Sequence, residues 1–91
     1  MVKYAWNPAK AASNARRHGI TFPEAATVFR DSLAMSYPDP DHSHGEERFI
    51  TIGLSTRGRV LFVAHADIDD RIRIISARRA TRREANAYTE G

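Results

Sequence analysis

The chain has 91 residues, with 14 Lys+Arg against 11 Asp+Glu, a formal net charge of +3 and a hydrophobic fraction of 42%. That length fits one small domain over residues 1–91 and excludes a multidomain enzyme or a dinucleotide-binding domain. With no cysteine, disulfide scaffolds, thiolate zinc sites and cysteine nucleophiles are excluded, and no apolar run approaches the roughly 20 residues of a membrane span.

The first segment, Met1-Val2-Lys3-Tyr4-Ala5-Trp6, lacks the apolar stretch of a signal peptide, so a cytoplasmic location is expected. A helix then opens at Asn7, a good N-cap, with Pro8 at its first position. It closes with Arg16, Arg17 and His18 in the last turn, where cations complement the helix dipole, and with Gly19 as the left-handed residue beyond. Thr21-Phe22-Pro23-Glu24 reads as a capping box for a second helix, whose Ala25, Val28 and Phe29 fall at helical spacing. Asp31-Ser32 ends it. From there the period shortens to two. Leu33–Tyr37 reads as a short strand, and 48–54, 59–66 and 71–77 are β-branched-rich strands. Ser55-Thr56-Arg57-Gly58 and Asp67-Ile68-Asp69-Asp70 are turns too short for parallel crossovers, so these strands pair antiparallel. Pro38 to Gly45 collects turn formers and reads as a loop. Thr81-Arg82-Arg83-Glu84 is a capping box that starts a last helix running to about Tyr88. The expected architecture is α+β, in the order α-α-β-β-β-β-α, with a four-stranded antiparallel sheet and helices packed on it. In the last strand, alternation assigns Ile72, Ile74 and Ser76 to the core face and Arg71, Arg73, Ile75 and Ala77 to the other. In the middle strand, His65 shares the parity of Leu61 and Val63.

Twelve of the fourteen cations are arginine, and residues 71–83 hold six of them without an acid. Arginine presents a planar fork of donors that matches phosphate oxygens. Such a stripe fits nucleic acid or an acidic protein partner, and it equally fits a solvated face. The five glycines form no phosphate loop, and there is no nucleophile elbow. Asp39, Asp41, His42, His44, Glu46 and Glu47 resemble a metal cluster by composition, but their spacing matches no specific site and reads better as a solvated loop, so no metal or cofactor is expected. The remaining inventory of arginine, histidine and tyrosine suffices for metal-free RNA cleavage, in which the 2′-hydroxyl attacks its own neighbouring phosphate. Arginines stabilise the added charge, while His or Glu moves protons. His65 is either a base or an ordinary strand-end residue. Glu47-Arg48 is either an acid–base and phosphate pair or two neighbours on opposite faces. His18 reads as a cation closing its helix and Lys10 as part of a solvated face. Trp6, Phe22, Phe29 and Phe62 read as core, and Tyr88 as core or stacking platform.

Three segments in register resemble the BrnT toxin family. They are Trp6-Asn7-Pro8 with Lys10, Asn14, Arg17-His18-Gly19-Ile20, Phe22, Glu24-Ala25, Val28-Phe29 and Asp31; Glu47-Arg48 with Ile52-Gly53; and Arg73 through Thr81 with Glu84 and Tyr88. The family usually carries Asp where Asn7 stands, and either residue caps a helix. The resemblance implies a RelE-like ribonuclease fold and an endoribonuclease toxin of a type II toxin–antitoxin system. It further implies a BrnA-like ribbon-helix-helix antitoxin, a heterotetramer, and operator DNA bound only through that antitoxin. Carried onto this chain, it nominates Arg48, Arg73 and Arg78 for phosphate handling and Glu47 and His65 for proton transfer. The alternatives are a non-catalytic nucleic-acid-binding module, an interaction subunit, and a toxin that has lost its activity.

Overall fold

The computed structural model describes residues 2–39, 41 and 45–90. In chain order the elements are β1 (Lys3–Ala5), α1 (Pro8–His18), α2 (Phe22–Thr27) with a 3₁₀ turn (Val28–Arg30), β2 (Met35–Pro38), β3 (Arg48–Leu54), β4 (Val60–Ile68), β5 (Arg71–Arg79) and α3 (Arg82–Glu90). The α+β class and the three helices match the expectation. The sheet does not: it is five-stranded and mixed, in the order β1-β5-β4-β3-β2. The added strand, β1, runs parallel to β5, with Lys3 opposite Arg71 and Ala5 opposite Arg73. Three residues are too few for an alternating pattern to register. The four later strands pair antiparallel. β2 starts two residues later than expected, leaving Leu33 exposed, and β4 and β5 each run two residues further, tightening their turn to Asp69-Asp70.

The helix ends behave as their residues dictate. The Asn7 side chain accepts from Lys10 N–H at 3.1 Å, and Gly19 adopts φ +69°. Thr21 caps α2 through Glu24 N–H, but the Glu24 carboxylate does not close the box. It turns instead to Ser55 Oγ at 2.8 Å and to the Arg59 guanidinium, whose hydrogen bond holds it below the usual carboxylate range despite burial. At the other end of the chain, the Thr81–Glu84 box forms in both directions.

Both α1 and α2 lie on one face of the sheet. Ile20, Phe22, Ala25 and Val28 pack there against Leu61, Val63, Ile74 and Ala77. Burying a side chain such as Leu61 or Phe22 stabilises by roughly 1.5–3 kcal/mol. A Cβ on Gly53 would stand 2.8 Å from Val28 Cγ1 and 2.9 Å from Ala34 Cβ, so the strand approaches the helical layer only because that residue is glycine. The helical layer is pinned to β5 by Asn14. Its side chain accepts from Ala77 N–H and donates to the carbonyls of Ala77 and Ile20. Because β1 pairs no further than Arg73, Asn14 satisfies backbone that would otherwise lie at an open edge.

The alternation expected for β5 breaks in its middle. Ala64 faces Ser76 while the next residue, His65, faces Ile74, so Ile75 is the extra residue of a bulge. The bulge moves Ala77 into the core, at 1% exposure, and sends Ser76 to the opposite face, reversing both assignments made from the sequence.

Candidate functional site

The face of the sheet away from α1 and α2 is only partly covered. Phe62 lies on this face rather than in the helix-side core, and the Arg78 guanidinium stacks 3.9 Å above its ring. Arg78 also grips Glu84 of α3 in a two-pronged ion pair, 2.8 and 3.0 Å. This bond holds the Glu84 carboxyl below its usual range. At its far end α3 is fastened by Tyr88, which donates to Asp31; the same carboxylate oxygen accepts from Leu54 N–H. No residue of α3 is fully buried, so these polar ties hold it down.

Beyond α3 the same face opens into a groove of about 450 Å³. Ile50, Ala64 and Ile75 give it an apolar floor, Arg48 and Ser76 a polar one, and Tyr37, Asp39 and Asp41 a wall. Burial, with Glu84 adding to it, pushes the Tyr37 phenol above its usual pKa, so Tyr37 stays protonated at neutral pH. At the end of the groove the register sets Arg48 opposite Ala66 and Ala66 opposite Arg73. Strands lie about 4.8 Å apart, which places the two arginine backbones within roughly 10 Å on one face. Their guanidiniums converge on one oxygen of Glu46: Arg73 Nη2 donates to it, and Arg48 Nε stands 3.6 Å away. Ion pairs between half-exposed side chains such as these are worth about 0–1 kcal/mol.

Of the five nominated residues, the structure brings Arg48, Arg73 and Arg78 onto one face. Glu47 is exposed immediately before β3. His65 is 2% exposed and lies on the helix-covered face, between the edge of Phe29 and the stacked ring of Phe49. Its Nδ1 is 2.7 Å from Asp67 Oδ1, and its Nε2 is 2.7 Å from Thr51 Oγ1, which in turn meets Ser36 Oγ at 2.7 Å. An ionised Asp67 only accepts, so neutral His65 donates from Nδ1 and accepts the Thr51 hydroxyl proton at Nε2. Burial depresses the His65 pKa, against the opposing pull of Asp67.

Several contributors were not singled out in the sequence. Glu46 appears there only in the metal-like cluster, Tyr37 only at the end of a strand, and Asn14 only within the family motif. His42 and His44 of that cluster lie outside the described residues, among which no group of three or more metal-ligating side chains converges. Trp6 packs edge-on against Phe22 as expected of core.

Three comparisons bear on this geometry. A family described as "Ribonuclease toxin, BrnT, of type II toxin-antitoxin system" matches residues 6–84. The fold is similar to the crystal structure of the Brucella abortus ribonuclease toxin BrnT, with a TM-score of 0.70 at 20% identity, over 90% of this chain and 100% of that one. No curated protein matches in sequence.

Proposed function

The chain belongs to the BrnT family of ribonuclease toxins of type II toxin–antitoxin systems, and from that premise we propose that residues 1–91 act as one toxin domain, a RelE-like endoribonuclease whose catalytic surface is the open sheet face. The observation that carries this proposal is the pair Arg48 and Arg73, converging on a single carboxylate at the end of a groove. In the proposed reaction the ribose 2′-oxygen bonds to the adjacent phosphorus and the bond from phosphorus to the 5′-oxygen breaks. The products are a 2′,3′-cyclic phosphate and a 5′-hydroxyl, with no metal required. Arg48 and Arg73 hold the phosphate and neutralise the charge added in the transition state. Glu47 takes the 2′-hydroxyl proton, and Tyr37, which lines the groove, returns one to the leaving oxygen. Arg78 serves from beneath α3, positioning the Phe62 side of the groove. His65, sealed on the far face, has no path to RNA and enters as a positioning residue that ties β3 to β4 behind the groove.

As a free protein in the cytoplasm the chain would cleave RNA and stop translation. In the resting cell a BrnA-like ribbon-helix-helix antitoxin would hold it in a heterotetramer, and only the antitoxin would read operator DNA. Purified chain incubated with RNA tests the chemistry: 2′,3′-cyclic ends, formed equally well in EDTA, are expected. Ends bearing a 3′-hydroxyl, or loss of cleavage in EDTA, would refute the mechanism. A second reading, a toxin that binds RNA without cutting it, is favoured by one observation: His65, the one histidine nominated for proton transfer, is 2% exposed and lies on the helix-covered face. Salt-dependent binding with intact RNA would select it.

A further inference from the structure

The groove does not end at β5. Ile75 and Ser76, which line it, also line a second cavity of about 300 Å³ on the α1 side, beside Lys10, Arg17 and His18. A smaller hollow joins Lys10 to Arg73. The two larger spaces differ in charge. Asp39 and Asp41 face the groove, whereas among the described residues no carboxylate lines the α1 cavity. Lys10 and Arg17 are seven residues apart on one helix, hence on one side of it and about 10 Å apart along its axis. The wall they stand on is fixed, because Asn14 between them is locked to Ala77 of β5. The bulge at Ile75 is what turns Ser76 outward and leaves Ile75 shared by both spaces.

Resting on the assignment of RNA to the open face, we propose that Lys10 and Arg17 form a second phosphate subsite for single-stranded RNA. The strand runs from the Arg48–Arg73 pair across the Ile75 bulge, and a backbone phosphate flanking the cleaved one lies against α1. The chemistry recognised is a polyanion with regularly spaced phosphates: one cation pair holds the reacting phosphate and the other holds its neighbour.

A salt titration tests this. A fluorescent 2′-O-methyl RNA oligonucleotide, which cannot attack its own phosphate, is bound by the full chain over a range of salt concentrations. Each phosphate contact contributes about 0.7 to the slope of log K against log salt for single strands. The variant Lys10→Ala/Arg17→Ala is expected to flatten the slope by about 0.7, one phosphate contact. Arg16→Ala/Arg57→Ala loses the same charge from exposed positions outside both cavities and is expected to keep the wild-type slope. Circular dichroism confirms that both variants fold. An unchanged slope in the first variant, or an equal loss in the second, overturns the subsite while wild-type binding and cleavage leave the open-face site standing. Failure of the wild-type chain to bind the oligonucleotide overturns both.

Discussion

The two faces of the sheet satisfy their polar groups in opposite ways. On the covered face the buried polar side chains Asn14, Glu24, Thr51, Ser55 and His65 are all hydrogen-bonded. Glu24 is divided between Ser55 and Arg59, Asn14 makes three hydrogen bonds, and His65 is bonded at both ring nitrogens. Asn14, Glu24, Ser55 and His65 are themselves buried, so removing one of their partners leaves a polar group cut off from water, even though Arg59 and Asp67 are 22% and 49% exposed at the side chain. On the open face the arginines are also paired, but both members keep contact with water: Glu46 is 29%, Arg48 30% and Arg73 42% exposed at the side chain. Pairs of that kind are worth about 0–1 kcal/mol. One face therefore carries stability, while the other, whose ion pairs are weak, carries the proposed phosphate site.

Substitutions can break this division. The largest expected effect is on chemistry: Arg73→Ala should slow RNA cleavage by about 10²–10³-fold, as the loss of one charge-stabilising donor does elsewhere, while its melting temperature stays near that of the wild type. Next is Asn14→Ala, which removes three buried hydrogen bonds and should lower unfolding free energy by about 2–4 kcal/mol in a denaturant titration. Its cleavage rate per folded molecule should change far less than that of Arg73→Ala.

A smaller effect concerns pH. His65 is depressed by burial in the folded state, so the unfolded chain takes up the proton first. Stability is then full above the unfolded value near 6.5 and falls as pH drops below it, by at most about 1.4 kcal/mol per pH unit. Thermal melts of the wild type and His65→Gln across that range should converge at low pH. Parallel curves would remove His65 as the cause. The smallest effect is expected from Tyr88→Phe, about 1 kcal/mol or less, because Asp31 keeps its bonds from Leu33 and Leu54 N–H. A larger loss would mean that α3 depends on one anchor.

Much of this fold was legible in the chain. Caps at Asn7, Thr21 and Thr81 announce their helices locally, and β3 has the bounds its composition implies. What escaped depends on distant pairing. β1 needs β5 beside it to be a strand, and the Ile75 bulge appears only when β5 is laid against β4. The site divides the same way. The arginine stripe is visible in sequence, yet the meeting of Arg48 with Arg73 across Ala66 requires the register of three strands. His65 was correctly placed on the parity of Leu61 and Val63. That parity faces the helices, and which face is covered is a tertiary fact.

The most direct test of RNA on the open face is a titration followed by methyl NMR, using the same non-cleavable 2′-O-methyl oligonucleotide. Ala64 and Ile75 line the groove, whereas Val63 and Ile74, their neighbours in sequence, point into the covered core. The expected result is saturable shifts of Ala64 and Ile75, with Val63 and Ile74 nearly still. Shifts confined to the covered-face methyls, or none at all at concentrations where the oligonucleotide is bound, would contradict the assignment of the open face.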